Sequence, residues 1–200
     1  MTGSVIVRTM RRIGLYGGSF DPVHLGHLLV AEAAREELDL DRVCFIPTAR
    51  SPFKLEHQPA PDALRAAMLR LALAGQTDCE VDEQEFLRGG VSFSVDTVRD
   101  YRKRFPGAEL FWLIGADNVA SLPLWRDAAD LARLTEFAVI PRPGEAAVAF
   151  PEPFRGRTLK GFPLGVSSSE IRKRIKAGLP IDLMVPATVA ECIRNNQLYL

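Results

Sequence analysis

Apolar residues recur along the 200-residue chain in two alternating patterns. Short continuous apolar runs that end near Gly or Pro predict buried strands, and apolar residues spaced by three and four predict amphipathic helices. The predicted strands span residues 13–16, 42–46, 79–81, 109–115 and 136–140. The predicted helices span residues 25–38, 63–74, 95–105, 128–134, 168–177 and 186–195.

This alternation of strands and helices predicts the fold class. It favours one α/β domain over the whole chain, a Rossmann-like doubly wound parallel sheet on which a helical segment at about residues 168–200 packs. Two Pro-rich stretches, residues 48–61 and 142–154, are expected to be irregular. Ligands of such sheets bind beyond the carboxyl ends of the strands. We therefore expect functional residues in the loops after Tyr16, Ile46, Gly115 and Ile140.

Composition and charge argue against several kinds of partner. Lys plus Arg and Asp plus Glu number 25 each, so the chain as a whole has no field that would attract nucleic acid or a membrane. No apolar run approaches the length of a bilayer span, and no apolar region follows the basic N-terminal residues as in a secretory signal. Cys44, Cys79 and Cys192 are widely spaced, which predicts reduced thiols in a cytoplasmic protein rather than disulfides or a zinc site.

The loop after the first strand has the most informative motif, GGSFDPVHLGH at residues 17–27. Gly17 and Gly18 let the backbone approach an anion, and the helix that follows directs its first N–H groups and its positive dipole end to the same place. His24 and His27 are three residues apart, so both imidazoles lie near one face of the first turn. The pattern favours phosphate binding; a simple turn with a capping histidine, or a weak two-histidine metal site, is the alternative.

This loop resembles the GGxFxPxHxGH signature of the bacterial nicotinate-nucleotide adenylyltransferases, in the HxGH nucleotidyltransferase superfamily. Residues 167–172, SSSEIR, are similar to a second signature of that family, with Ser in one place where the family has Thr. Residues 115–118, GADN, resemble its GxDN motif, and Trp125 stands where a Trp commonly follows. Residues 92–98, SFSVDTV, resemble its SYTxDTL, and the end of the chain is also similar. The resemblance therefore spans nearly the whole chain.

The resemblance implies transfer of AMP from ATP to nicotinate mononucleotide, with release of pyrophosphate, in NAD synthesis. His24, His27 and Arg172 would be catalytic: the histidines donate to the phosphates of ATP, and the arginine holds the departing pyrophosphate. The attacking phosphate is mostly a dianion at neutral pH, so no general base is needed and catalysis consists of positioning and of donors at the transferring group. The ATP-binding residues would be Gly17, Gly18, Ser19, Phe20, His27, Gly115, Asp117, Ser168, Ser169 and Arg172.

Five residues are implied for the acceptor. Ser19 and Lys54 would contact the phosphate of the mononucleotide, and Trp125 would stack on its pyridine ring. Thr97 with its neighbouring amides would contact the ring carboxylate. Arg126 stands where many members of the family have Tyr, and its positive charge favours nicotinate over nicotinamide.

Several expectations have alternatives that the sequence leaves open. Mg²⁺ is implied by triphosphate chemistry, and we expect phosphates and water rather than a protein cage to hold it. Ser168 and Ser169 could cap a helix, Asp117 could stabilise a polar turn, and Trp125 could be a core residue. Phe53 replaces a family histidine. The alternative functions are adenylylation of nicotinamide mononucleotide or of another superfamily acceptor, a non-catalytic nucleotide sensor, and a fragment of a class I aminoacyl-tRNA synthetase.

Overall fold

The computed structural model describes residues 10–52, 58–141, 148–162 and 164–200. Within these ranges six strands form one sheet in which all neighbours are parallel. They are β1 (Arg12–Gly18), β2 (Arg42–Pro47), β3 (Cys79–Val81), β4 (Glu109–Ile114), β5 (Glu136–Val139) and β6 (Gly156–Thr158). Their spatial order, β3-β2-β1-β4-β5-β6, is that of the Rossmann-like doubly wound sheet, so the predicted fold class is confirmed.

Helices connect the strands and cover both faces of the sheet. Those described are α1 (Leu25–Glu37), α2 (Asp62–Ala72), α3 (Gln84–Arg88), α4 (Ser94–Arg104), α5 (Ala128–Leu134), α6 (Ser168–Lys176), α7 (Ala187–Asn195) and a 3₁₀-helix at Ala116–Leu124. No helix in the described part of the chain is long and apolar enough to cross a membrane.

Because both faces are covered, successive residues of the central strands are buried on opposite sides, which explains why these strands are continuously apolar. The core cluster on one face includes Phe45, Phe111 and Leu113 of the strands with Met68, Ile171 and Val189 of the helices. The cluster on the other face includes Ile13, Leu15 and Trp112 with Val98 and Leu131. The helices α6 and α7 thus contribute buried residues to the first of these two clusters.

The predicted elements agree with the structure to within two residues at each end, and three details are corrected. The polar turn expected at Asp117 and Asn118 is instead part of the 3₁₀-helix, which begins at Ala116. The sequence analysis missed α3 and β6, because five and three residues are too short to show a hydrophobic period. Residues 142–147 and 53–57 of the two Pro-rich stretches lie outside the described residues, and the remainder of both stretches contains neither helix nor strand.

The position of β1 in the sheet determines where ligands can bind. After β1 the chain adds β2 and β3 on one side, and it then crosses to β4 on the other side of β1. The connections after β1 and β4 therefore leave in opposite directions and open a crevice at the carboxyl ends of these two strands.

Candidate active site

Two cavities lie side by side in this crevice. The histidine cavity, named for His24 and His27, has a volume of about 450 Å³ and is bounded by the motif loop after β1, the start of α6 and the end of β4. The tryptophan cavity, named for Trp125, has a volume of about 300 Å³ and is bounded by the loop after β2, the start of α4 and the end of the 3₁₀-helix. Their common wall is formed by Tyr16, Gly17, Gly18, Ser19, Ile114, Gly115 and Asn118.

The structure brings the predicted ATP-binding residues together. All of them line the histidine cavity, although they come from the loop after β1, the end of β4 and the first turns of α6. Of the residues predicted for the acceptor, Ser19, Trp125 and Arg126 line the tryptophan cavity. Lys54 and Phe53 lie outside the described residues. The roles given to these residues stay predictions.

The two histidines are arranged as a stacked pair at the start of α1. His24 immediately precedes the helix, and its backbone N–H donates to Nδ1 of His27 over 3.2 Å. The two rings stack with centroids 3.7 Å apart and planes at 28°. Because Nδ1 of His27 accepts this hydrogen bond, the neutral ring carries its proton on Nε2.

The surroundings of His27 keep it neutral. Burial, followed by the charge of His24, lowers the pKa of His27 well below its ordinary value of 6.5. Its ring also packs edge-on against Phe20, with centroids 4.9 Å apart. At physiological pH, His27 therefore offers an N–H donor rather than a full positive charge.

Two glycines of the motif make room for neighbouring rings. A Cβ on Gly26 would lie 3.0 Å from Nδ1 of His24, so a side chain there would require the histidine ring to shift by a few tenths of an ångström. A Cβ on Gly17 would lie 2.7 Å from the ring of Trp112. This contact with Trp112 gives Gly17 a packing role in addition to the close backbone approach to an anion that the sequence predicts.

The serines at the start of α6 differ in their hydrogen-bond partners. Ser167 is the helix cap, because its side chain accepts the N–H of Glu170 over 3.2 Å. Ser168 donates from Oγ to the carbonyl of Pro22 over 2.9 Å and so ties α6 to the motif loop. The capping alternative therefore applies to Ser167, while Ser168 and Ser169 occupy the first turn on the wall of the histidine cavity.

Arg172 lies one turn further along α6 and is fixed at two points. Its Nη1 donates to the backbone carbonyl of Asp21 over 2.7 Å, and its Nη2 donates to Oγ of Ser169 over 3.3 Å. The side chain is 23% exposed, so part of the guanidinium faces the cavity. This geometry presents a positive charge in a defined direction, as anion binding requires.

Asp117 lies just beyond β4, at the rim of the histidine cavity. Its Oδ1 accepts from the side chain of Asn118 over 3.0 Å. A Cβ on Gly115 would lie 2.5 Å from the same oxygen, so the glycine is what admits the carboxylate at this position. The carboxylate is exposed and can accept further hydrogen bonds from hydroxyl groups.

An aromatic and a cationic side chain define the tryptophan cavity. Trp125 is half-buried, and its Nε1 donates to Oγ of Ser121 over 3.2 Å. The guanidinium of Arg126 lies over the ring of Phe93, 4.6 Å from the centroid, and its Nη1 is 3.7 Å from Oδ2 of Asp96. The cavity thus has an indole and a positive charge next to the start of α4.

Thr97 is placed differently from the prediction, because it does not line the tryptophan cavity. It is fully buried, and its hydroxyl donates to Oε1 of Glu85 over 2.7 Å. Its backbone N–H donates within the first turn of α4, to the carbonyl of Phe93. The amides that open α4 towards the cavity belong to Ser94 and Val95, which line it.

The sequence analysis missed Arg65, the largest fully buried side chain of the described residues. Its Nη1 donates to the carbonyls of Ser19 and Thr48, both over 2.8 Å, and its Nε donates to the carbonyl of Ala60 over 3.0 Å. One guanidinium therefore joins the loops after β1 and β2 to the start of α2. The helical spacing could have indicated that Arg65 is buried, because this residue lies three positions before the buried Met68 and therefore on the apolar face of α2.

Glu85 is a second buried polar residue that the sequence analysis missed. It is 3% exposed, accepts the hydroxyl of Thr97 and lines the tryptophan cavity. Burial raises the pKa of Glu85, and the hydrogen bonds from Thr97 and Ser92 oppose that shift. The hydroxyl of Ser92 also accepts the N–H of Ala49, so this network connects the start of α4 to the loop after β2.

Comparison with known proteins agrees with this architecture. The profile of the cytidylyltransferase-like family matches residues 15–174, which include the motif loop and Arg172. Two solved structures illustrate the shared fold. One is nicotinic acid mononucleotide adenylyltransferase of Plasmodium falciparum complexed with NaAD, which has a TM-score of 0.77 and 17% sequence identity, the match covering 94% of this chain and 97% of that one. The other is a putative nicotinate-nucleotide adenylyltransferase from Vibrio parahaemolyticus, which has a TM-score of 0.70 and 18% sequence identity, the match covering 95% of this chain and 96% of that one. The fold and the family profile together define a cytidylyltransferase-like nucleotidyltransferase.

Relatives with higher sequence identity indicate which family of this class the chain belongs to. A probable nicotinate-nucleotide adenylyltransferase of Opitutus terrae is 41% identical over 191 residues, covering 94% of this chain and 97% of the relative. A protein of the same description from Herpetosiphon aurantiacus is 39% identical over 198 residues, covering 96% and 100%. The chain therefore belongs to the nicotinate-nucleotide adenylyltransferase family, and the resemblance drawn from its motifs is confirmed.

Proposed function

We propose that this enzyme transfers AMP from ATP to nicotinate mononucleotide, forming nicotinate adenine dinucleotide and pyrophosphate. The observation that carries the proposal is the common wall of the two cavities, which is the carboxyl end of β1 with its motif loop and the end of β4. A nucleotide in each cavity would have its phosphate at this wall. The two reacting phosphates would then meet at Ser19, which lines both cavities.

In this proposal, donors rather than a base promote the reaction. The acceptor phosphate, a dianion, attacks the α-phosphorus of ATP, and pyrophosphate leaves. His24 and His27 donate to the phosphates, and the Nε2–H of His27 stabilises the charge that develops in the transition state. Ser168, Ser169 and Arg172 bind the β- and γ-phosphates at the start of α6.

The tryptophan cavity would bind the pyridine end of the acceptor. Trp125 would stack on the ring, and Arg126 with the amides of Ser94 and Val95 would bind the carboxylate. These amides replace the side chain of Thr97, whose hydroxyl is bonded to Glu85. Contact of Lys54 with the acceptor phosphate remains part of the proposal.

Mg²⁺ would arrive bound to the triphosphate. Among the described residues, no group of three or more His, Cys, Asp or Glu is placed to hold a metal ion. The polar side chains that line the histidine cavity include the carboxylates of Asp21 and Asp117, but more of them are N–H or hydroxyl donors, from histidines, serines and Arg172. Such donors suit phosphate oxygens, whereas Mg²⁺ prefers oxygen ligands from carboxylates and water. We also expect a cytoplasmic location, which would suit the three free cysteines.

The test is to incubate the enzyme with ATP, Mg²⁺ and either nicotinate or nicotinamide mononucleotide, and to quantify dinucleotide and pyrophosphate. We expect kcat/KM to favour the acid by about 100-fold, or roughly 2.7 kcal/mol, because the amide leaves the donors of the site unpaired. Arg126→Ala should reduce this preference. A wild-type enzyme that prefers the amide would contradict the proposed substrate; a preference unchanged in Arg126→Ala would discard only the role of the arginine.

A further inference from the structure

A third cavity shares part of its wall with the histidine cavity. This lysine cavity, named for Lys173 and Lys176, has a volume of about 810 Å³. Its described walls are one face of α6 and the segments 58–61 and 198–200. Ser169 and Arg172 line both the histidine cavity and the lysine cavity, so these two side chains form the boundary between them.

The positive side chains of the lysine cavity follow one face of α6. Ser169, Arg172, Lys173 and Lys176 are spaced by three and four residues, so they lie on one side of the helix. The buried Ile171 belongs to the opposite side, which packs into the core. With a rise of about 1.5 Å per residue, the face from Ser169 to Lys176 is about 10 Å long. A row of cations therefore leads away from the part of the histidine cavity that α6 forms.

The two cavities differ in charge. Apart from the histidines, the charged side chains among the described residues of the histidine cavity are Asp21, Asp117 and Arg172, so carboxylates outnumber the cation. The carboxylate of Asp21 is 3.8 Å from Nη1 of Arg172 and offsets part of its charge. The lysine cavity has the cations Arg172, Lys173 and Lys176, and none of the described residues that line it is an Asp or a Glu. An anion released at Arg172 is therefore attracted towards the two lysines.

Pyrophosphate is the anion that the proposed reaction releases at this place. It keeps a net negative charge when Mg²⁺ is bound to it, and it is small compared with the lysine cavity. Once the bond to the α-phosphorus is broken, no covalent link holds pyrophosphate beside the adenosine. It can then move along α6 by exchanging contacts with Arg172 for contacts with the lysines.

We propose that the lysine cavity is a binding site for pyrophosphate, which passes from Arg172 to Lys173 and Lys176 as it leaves the enzyme. The lysines bind its oxygens as point charges. The hydroxyl of Ser169 accepts from Arg172 at the boundary and keeps its own proton to donate to the same ligand. This inference rests on the proposed function only in its assignment of the triphosphate to Arg172.

The experiment compares two double variants that remove the same net charge. Lys173→Gln with Lys176→Gln changes the lysine cavity. Lys103→Gln with Lys160→Gln is the control, because Lys103 and Lys160 are also exposed and line none of the three cavities. Binding of pyrophosphate is measured by calorimetry with Mg²⁺ present. We expect Kd to rise about tenfold in the first variant, through the loss of two exposed ion pairs, and to stay within about twofold of wild type in the control.

A second ligand distinguishes a separate site from an extension of the ATP site. Adenosine α,β-methylene triphosphate cannot release pyrophosphate, so its phosphates stay attached to the adenosine in the histidine cavity. Its Kd should therefore change by less than about threefold when both lysines of α6 are replaced. Equal rises in the Kd values of pyrophosphate and of the analogue would place the lysines at the γ-phosphate of bound ATP and overturn the proposal. A pyrophosphate Kd that is the same in the two double variants would overturn it as well.

The same samples keep the two proposals distinct. Calorimetry with pyrophosphate or with the analogue requires no turnover, so it reports on the lysine cavity whatever acceptor the enzyme uses. Absence of dinucleotide from ATP and nicotinate mononucleotide in the wild type would contradict the proposed function and leave the binding comparison interpretable. Dinucleotide formation by the wild type, with no effect of the α6 lysines on the Kd of pyrophosphate, would contradict the pyrophosphate site alone.

Discussion

Replacement of Arg65 by Met removes the buried guanidinium and keeps a long, unbranched side chain. The arginine donates to three backbone carbonyls, those of Ser19, Thr48 and Ala60, and to the side chain of Asp62 over 2.5 Å. Two of these carbonyls, those of Ser19 and Thr48, belong to residues that line the tryptophan cavity. The substitution therefore acts on stability and on the geometry of the site together.

The expected size of both effects follows from these contacts. A buried acceptor left without a donor costs about 1–3 kcal/mol, and three carbonyls lose one here. Allowing for water and for relaxation, we expect the free energy of unfolding to fall by about 3–5 kcal/mol, as when one partner of a buried charged network is removed. Displacement of Ser19 by about 1 Å should lower kcat/KM for both substrates by about 10–100-fold.

The control is Arg102→Met. Arg102 also donates to backbone carbonyls, with Nε 2.7 Å from that of Leu134 and Nη1 2.5 Å from that of Ala108, yet it lines neither cavity. Urea denaturation gives the free energy of unfolding, and initial rates of pyrophosphate release give kcat and both KM values, at a temperature where both variants are folded. We expect both variants to lose stability and only Arg65→Met to show higher KM values.

Either of two results would refute the reasoning. If Arg65→Met is folded and its KM values equal those of Arg102→Met, the guanidinium supports the fold without setting the position of the two loops. A selective rise in the KM for ATP would also contradict it, because the contact with Thr48 lies on the tryptophan cavity and should affect the acceptor.

Three further results are expected. His27→Ala should keep its fold by circular dichroism and lose kcat on the order of 10²–10³-fold in pyrophosphate release, and a loss below a few-fold would contradict its catalytic role. Arg172→Ala should raise the KM for ATP far more than Arg174→Ala, since Arg174 donates to the carbonyl of Pro180 at the surface; equal effects would remove the distinction. Folding lowers the pKa of His27, so as the pH falls the unfolded chain takes up a proton at this residue before the folded chain does. The stability due to neutral His27 is therefore present above pH 6.5, the ordinary pKa of histidine, and declines below it. His27→Gln should therefore lose less stability than wild type in urea denaturation as the pH falls below 6.5, and parallel losses would contradict this sign.

Much of the fold could be predicted from the sequence, because a parallel sheet buried on both faces leaves continuous apolar runs. The strands at residues 42–47 and 109–114 are of this kind and were placed to within one residue. The short strand Gly156–Thr158 has no apolar residue and lies at the edge of the sheet, so nothing in its pattern indicated a strand. This strand forms because it pairs with β5, and that pairing is a tertiary contact rather than a property of the local sequence.

The site was predictable where a motif is contiguous and unpredictable where a contact spans the chain. Gly17 to His27 are adjacent in sequence, so their convergence follows from one strand and one helix. Thr97 belongs to a recognisable motif, yet its hydroxyl is bonded to Glu85 of the unpredicted helix α3, and the cavity is lined instead by the preceding turn. The hydrogen bond between Asp21 and Tyr199 joins residues 178 positions apart, and local periodicity contains no information about it.

The motif loop also suggests a reason why buried donors surround the proposed anion site. A loop that lines a phosphate site brings its carbonyl oxygens, which are partial negative charges, close to the ligand. Here three of these oxygens accept hydrogen bonds from side chains of α2 and α6, which offsets their charge and fixes the loop. The pairs are Ser19 with Arg65, Asp21 with Arg172, and Pro22 with Ser168. Because two of the three donors come from α6, the helix that would bind the triphosphate also holds the loop that would receive it. The affinity for ATP and the geometry of the loop should therefore change together whenever α6 is displaced.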